Sequence, residues 1–127
     1  MSERRILVVD DDEDFAGVVA EMAAFYGLKS KVVYSGGDAL ACLEEFRPDV
    51  VLLDLGMPGL DGCETARQIR VSPRGQSIKL VALTGWGRPE DIQRTQAAGF
   101  DHHLVKPNGL AGLKQILLGK CPSAHLS

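Results

Sequence analysis

Short apolar runs rich in β-branched residues recur along the chain at Ile6–Val9, Val32–Tyr34, Val50–Leu53, Ile78–Leu83 and Leu104–Val105. Runs this short, bounded by polar or glycine-rich segments, predict strands. Val50–Leu53 has no polar alternation at all, the mark of a strand covered on both faces. Between the strands the spacing changes. Phe15, Val18, Val19, Met22 and Tyr26 fall at i, i+3, i+4, i+7 and i+11, one stripe of a helix stopped by Gly27. Leu40, Leu43 and Phe46 mark a second helix closed by Pro48, and Ala66, Ile69 and Arg70 a third that breaks at Ser72-Pro73-Arg74-Gly75. A fourth opens on Pro89-Glu90-Asp91, good first-turn chemistry, with a thin stripe of Ile92, Ala97 and Ala98. Leu110, Leu113, Ile116 and Leu117 give a fifth, amphipathic helix.

Strand and helix thus alternate five times. That pattern predicts an α/β fold, a parallel sheet with helices on both faces in three layers, joined by right-handed crossovers. A chain of 127 residues suits one domain. Its core is expected over about residues 4–118, with 119–127, containing Gly, Pro and Ser, as a flexible tail. The net charge of −3 offers no basic surface for nucleic acid. No apolar run approaches the roughly 18 residues of a membrane span. The acidic start after Ile6–Val9 is unlike a signal peptide. Cys42, Cys63 and Cys121 make no disulfide framework, so a cytoplasmic location is expected.

In open α/β sheets ligands bind beyond the carboxyl ends of the strands. Strand one ends in Asp10, Asp11 and Asp12, strand three in Asp54, strand four in Thr84 and strand five in Lys106. Each has an ordinary reading: helix cap, turn residue, loop threonine, surface lysine lying along apolar neighbours. Together they place carboxylates, a hydroxyl and an ammonium on one edge. Carboxylates this close repel one another, and a divalent cation offsets the repulsion. An oxygen-rich site of this kind suits Mg²⁺, which also neutralises a transferring phosphoryl group, as a lysine can from the other side. Gly56, just after Asp54, lets backbone approach a ligand.

The stretches "ILVVDDDEDF", "PDVVLLDLGMPGLDG", "LVALTGWG" and "GFDHHLVKP" resemble the receiver domain of two-component response regulators, over essentially the whole chain. The resemblance implies a chemotaxis-regulator-like (βα)5 flavodoxin-like fold with strand order 2-1-3-4-5. It implies that Asp54 is the phosphoacceptor, receiving a phosphoryl group from a histidine. It further implies that Asp11 ligates Mg²⁺ (or Mn²⁺) directly, Asp10 acts through a water, the Gly56 carbonyl supplies a ligand, and Thr84 and Lys106 bind phosphate oxygens. Asp12 is expected to cap a helix instead. Lys106-Pro107 is similar to the family's cis peptide.

The family's aromatic switch position on strand five is His103 here, read either as a packing residue or as a switch. His102 and His103 are adjacent on a strand and therefore point to opposite faces. Gly56 and Trp86 occupy the positions that tune the lifetime of the aspartyl phosphate in the family. Trp86 could cover the phosphoryl group or contact a partner. Gly85 leaves Thr84 room to move. The expected output is a rearranged face of helix four and strand five.

The expected partners are a histidine kinase or histidine phosphotransfer domain and a downstream protein target or an attached kinase. The unphosphorylated form is expected to be a monomer. "ALTGWGRPEDIQRTQAAGFDHHLVKP" is similar to receivers of hybrid histidine kinases. Three other readings compete. An aspartate-nucleophile phosphatase of the haloacid dehalogenase type needs a second aspartate where Gly56 stands. A flavodoxin-like ligand binder needs a phosphate-cradling loop where strand one is followed by acid. A degenerate receiver used only for docking would lack site residues that are all present here.

Overall fold

Five strands form one parallel sheet in the order β2-β1-β3-β4-β5: β1 Arg5–Val9, β2 Lys29–Val33, β3 Val50–Asp54, β4 Lys79–Thr84 and β5 His102–Val105. The computed structural model describes residues 4–56, 62–73, 75–85, 88–105 and 110–118. The helices are α1 Glu13–Phe25, α2 Gly36–Phe46, α3 Gly62–Val71, α4 Pro89–Ala98 and α5 Leu110–Leu117. Alternation along each strand divides the core in two. Leu7, Val9, Val51, Leu53, Leu80 and Ala82 meet α2, α3 and the end of α4 on one face. Ile6, Val8, Val50, Leu52, Val81 and Leu83 meet α1 and α5 on the other. The central strand β3 is buried throughout, as its unbroken apolar run requires.

The edge strands depart from the expected bounds. β2 starts three residues before Val32, because main-chain pairing of Arg5 with Lys29 through Val9 with Val33 sets it, while Lys29, Ser30 and Lys31 face solvent and carry no apolar signal. Lysines on an open edge also discourage pairing with another chain. β5 likewise includes His102 and His103, which an apolar pattern passes over.

Two helices are rotated from their predicted stripes. On α1 the deepest residues are Ala16, Val19 and Ala23, whose small side chains let the helix lie close to the sheet. Phe15, Met22 and Tyr26 pack at the margins of that contact, and Val18 is exposed. Asp12 is the N-cap, its carboxylate accepting from the Phe15 N–H at 3.1 Å, and Gly27 follows the helix with φ 84°. α4 buries Asp91, Thr95 and Ala98, leaving Ala97 exposed. Its inner face is therefore polar. On α5, Leu113, Ile116 and Leu117 are fully buried, roughly 1.5–3 kcal/mol each. Arg4 donates to the Leu117 and Ile116 carbonyls at 2.6 and 3.1 Å, which ties the helix end to the start of β1.

Candidate functional site

The strand tips deliver the predicted residues to one edge. Asp10 follows β1 and is 1% exposed, Asp54 ends β3 at 5%, and Thr84 ends β4 at 3%. Asp11 is exposed to solvent above them. One carboxylate oxygen from each of Asp10, Asp11 and Asp54 lies within 4.8 Å of the others. Oxygens bound at the Mg²⁺ distance of about 2.0–2.1 Å sit about 3–4 Å apart around one ion, so the set fits a hard cation with little adjustment. Nitrogen and sulfur are missing from this donor set, which disfavours zinc.

Backbone donors orient two of the three carboxylates. The Asp12 N–H donates to Asp10 Oδ1 and the Gly56 N–H to Asp54 Oδ1, both at 2.9 Å. The second bond shows what the glycine contributes. A Cβ at position 56 would lie 3.4 Å from Asp54 Oδ1, so any side chain there would stand at the lip of the acceptor carboxylate. Leu55 continues the sheet for one further bond, its N–H donating to the Leu83 carbonyl at 2.8 Å, which sets Asp54 beside the end of β4.

Gly85 is exposed immediately after Thr84. Lys106, Trp86 and the Lys106-Pro107 peptide lie outside the described residues, as does the 119–127 tail. The two histidines do point to opposite faces. His103 pairs with Ala82 on the α3–α4 side, and His102 with Val81 on the α1–α5 side. The His103 Nδ1 lies 3.1 Å from Thr95 Oγ1 on α4.

His102 has its Nε2 buried with no hydrogen-bond partner among the described residues. Burial, and then the nearby Lys79 ammonium, lower its proton affinity, with Asp101 opposing. A base whose folded-state pKa is depressed contributes stability that is whole above the ordinary imidazole value of 6.5 and is lost as pH falls below it. Urea unfolding between pH 7.5 and pH 5 should therefore show a steeper loss of stability for the native protein than for His102→Leu. Parallel profiles would contradict this.

The sequence did not disclose one cluster. Arg70 reaches from α3 to the carbonyls of Gly75, Ile78 and Gly99 and to Asp101. The hint was an arginine falling on the apolar stripe with Ala66 and Ile69, just before a chain break. At the other end of α4, Asp91 accepts from Arg88 and Arg94, both at 3.0 Å. The Arg88 hydrogen bond is the main cause of its carboxyl being held below the usual range.

A family model for the response regulator receiver domain matches residues 6–118. The DNA-binding response regulator MtrA of Mycolicibacterium smegmatis is 35% identical over 104 residues, covering 82% of this chain. The chain spans 44% of the length of MtrA. Among solved structures, the signal receiver domain of a DNA-binding response regulator from Colwellia psychrerythraea superposes with a TM-score of 0.83 at 30% identity, covering 91% of this chain and 95% of that one. The receiver domain of a sensor histidine kinase from Pseudomonas aeruginosa, with a magnesium ion coordinated in its active-site cleft, gives a TM-score of 0.79 at 31% identity, with the same coverages of 91% and 95%. No helix among the described residues is long and apolar enough to cross a membrane.

Proposed function

Because the chain belongs to the response regulator receiver family, a signalling domain of two-component systems, we propose that Asp54 takes the phosphoryl group while Asp10, Asp11 and Thr84 hold the surroundings of the reaction. The observation that carries this is the meeting of three carboxylates at the tips of β1 and β3, with Asp54 buried and held by the Gly56 N–H. A carboxylate oxygen of Asp54 attacks phosphorus, forming the new P–O bond as the P–N bond to a donor histidine breaks and the nitrogen leaves with the electron pair. Burial of Asp54 limits the approach directions. The Thr84 hydroxyl, one residue beyond the Leu83 that pairs with Asp54, would donate to a phosphoryl oxygen as charge builds there.

Asp10, Asp11 and Asp54 would hold Mg²⁺ or Mn²⁺, with the Gly56 carbonyl as a further ligand. When bound, the ion neutralises charge among the carboxylates and on the transferring group. Lys106, which follows β5 in the sequence, would serve the same end through its ammonium group. Incubation with acetyl phosphate and Mg²⁺ should add one phosphoryl group by intact mass. Rapid turnover of varied phosphate esters would instead mark a phosphatase, which the bare position 56 disfavours because it offers no acid to protonate a leaving group.

The partners that suit this chemistry are a phosphohistidine-bearing kinase or phosphotransfer domain and a protein responding to an altered α4–β5 face, partners that a cytoplasmic location would supply. The likeness to a sensor kinase's own receiver favours a place in a phosphorelay. Gly56 also predicts a short-lived phosphate. With only hydrogen on the Cα of residue 56, no side chain at that position screens the acyl phosphate from water. Gly56→Asn, in an exposed position, should slow dephosphorylation roughly threefold, a barrier change of about 0.65 kcal/mol. Decay of the phosphorylated mass peak at the native rate would refute this.

A further inference from the structure

A cleft of about 340 Å³ lies where α2 ends and β3 and β4 begin, lined by Leu43, Glu44, Arg47, Pro48, Pro73 and Ile78. Pro48 precedes β3 and Asp54 ends it, so about 20 Å of strand separates this cleft from the carboxylate cluster. Its floor is the margin of the core: Leu43 and Ile78 are 7% and 6% exposed, and Pro48 is buried. The walls are fixed by hydrogen bonds. The Asp49 N–H donates to the Arg5 carbonyl at 2.8 Å, and the Lys79 N–H to the Asp49 carbonyl at 2.9 Å, which sets Pro48 and Ile78 in place. Arg70 Nη1 holds the Ile78 carbonyl at 2.6 Å. A concave apolar site formed in advance loses little to ordering when a ligand arrives.

The rim carries one charge of each sign. Glu44 and Arg47 are exposed and three residues apart, a spacing at which opposite charges usually pair. Among the described residues, neither makes an ion pair. Arg47 Nε donates to the Glu44 carbonyl at 3.3 Å, and the terminal guanidinium nitrogens have no partner among the described residues. The backbone of Arg47 is unusual as well. At φ 53° and ψ 62° it is the one non-glycine residue with positive φ among the described residues. Glycine or asparagine ordinarily takes such a position at a helix end, and the following proline restricts it further. An arginine is thus held where glycine would serve the backbone better, the kind of strain that accompanies a use for the side chain.

We propose that this cleft binds a small zwitterion with an apolar body, of the class of the free apolar α-amino acids. The ligand carboxylate meets the Arg47 guanidinium, its ammonium meets Glu44, and its side chain lies against Leu43, Pro48 and Ile78. A ligand of one sign only would bring its charge against a like charge on the rim. The volume is at the low end of the roughly 300–1,000 Å³ of small-molecule sites, which suits a molecule of this size, and Glu44 opposes the phosphates of a nucleotide. The site is independent of the reading of Asp54.

L-Leucine is the probe. In ¹H–¹⁵N spectra of the full chain it should move the amides of Leu43, Glu44, Arg47 and Ile78 saturably, with a Kd of about 0.1–1 mM. 4-Methylpentanoate lacks the ammonium, 3-methylbutylamine the carboxylate and glycine the apolar body. Each should bind at least about tenfold more weakly, the loss expected for one charge-assisted hydrogen bond or one apolar contact. Glu44→Gln and Arg47→Gly should each weaken leucine binding by a similar factor. Arg47→Gly should also melt at or above the native temperature, because φ 53° suits glycine, so its lost binding is not lost folding. A lower melting temperature would return Arg47 to a purely capping role, and binding by Glu44→Gln, altered at an exposed position, then decides the site. No saturable shift with leucine, native affinity in Glu44→Gln, or equal binding of 4-methylpentanoate overturns the proposal.

Discussion

Asp54→Asn, incubated with acetyl phosphate and Mg²⁺, should remain at its unmodified mass while the native protein gains one phosphoryl group. The expected loss is at least about a hundredfold, because an amide oxygen is a far poorer nucleophile than a carboxylate and no neighbouring base can activate it. The other two acids do not substitute. Asp11 is exposed, and Asp10 is turned by the Asp12 N–H that binds its Oδ1. Removing the metal with EDTA should suppress labelling of the native protein to a similar degree, since the clustered carboxylates otherwise repel the incoming anion. Asn at this position is nearly isosteric and keeps an acceptor for the Gly56 N–H, so thermal unfolding should change little. It should move slightly upward if relieving charge repulsion outweighs the loss of the charge-assisted bond. Labelling of the variant at the native rate would move the acceptor to another residue and remove the assignment.

Much of this arrangement was legible because of where chain direction and burial coincide. A strand covered on both faces has no solvent-facing positions on which to place a carboxylate, so Asp54 after Val50–Leu53 had to be a tip, and parallel strands put their tips together. The same logic found Asp10 and Thr84. Asp12 was separable from its neighbours only through the family resemblance, and it is the N-cap of α1. The edge strands were less legible, since Lys29–Lys31 and the two histidines are placed by main-chain pairing that leaves no hydropathy trace. The orientation of α4 was illegible for a related reason. A stripe search assumes apolar residues face inward, and here the inward residues are Asp91 and Thr95, satisfied by Arg88, Arg94, Ile92 and His103. Polar burial depends on partners distant in sequence, and a periodicity cannot name them.

Arg70 is the strongest case of that kind, and its replacement should have the largest effect on stability. Its guanidinium, with a side chain only 14% exposed, donates from Nε and both terminal nitrogens. It reaches Gly99 O at 2.9 and 2.6 Å, Gly75 O at 2.9 Å, Ile78 O at 2.6 Å and Asp101 Oδ2 at 2.8 Å. The same Asp101 oxygen accepts from the Leu80 N–H at 2.8 Å, so one planar group joins α3, the end of α4 and the starts of β4 and β5. Close approach at this junction is built in: a Cβ on Gly75 would collide with the Ile69 carbonyl. Arg70→Leu keeps the aliphatic packing and strips donors from three carbonyls, two of them in buried residues. At about 1–3 kcal/mol for each group left without a partner, partly offset by water at the more open Gly99, the loss should be about 2–4 kcal/mol. That corresponds to a fall in Tm of roughly 10 °C for a chain of this size. Arg70→Lys should recover less than half of it, because a single ammonium cannot reproduce a fork that serves separate acceptors. The junction sits where β4 begins, about 17 Å along the strand from Thr84. Below its lowered melting temperature Arg70→Leu should therefore still take a phosphoryl group on Asp54. A melting temperature within about 2 °C of the native protein would show that the carbonyls find water without cost and that the clamp is not what holds this edge together.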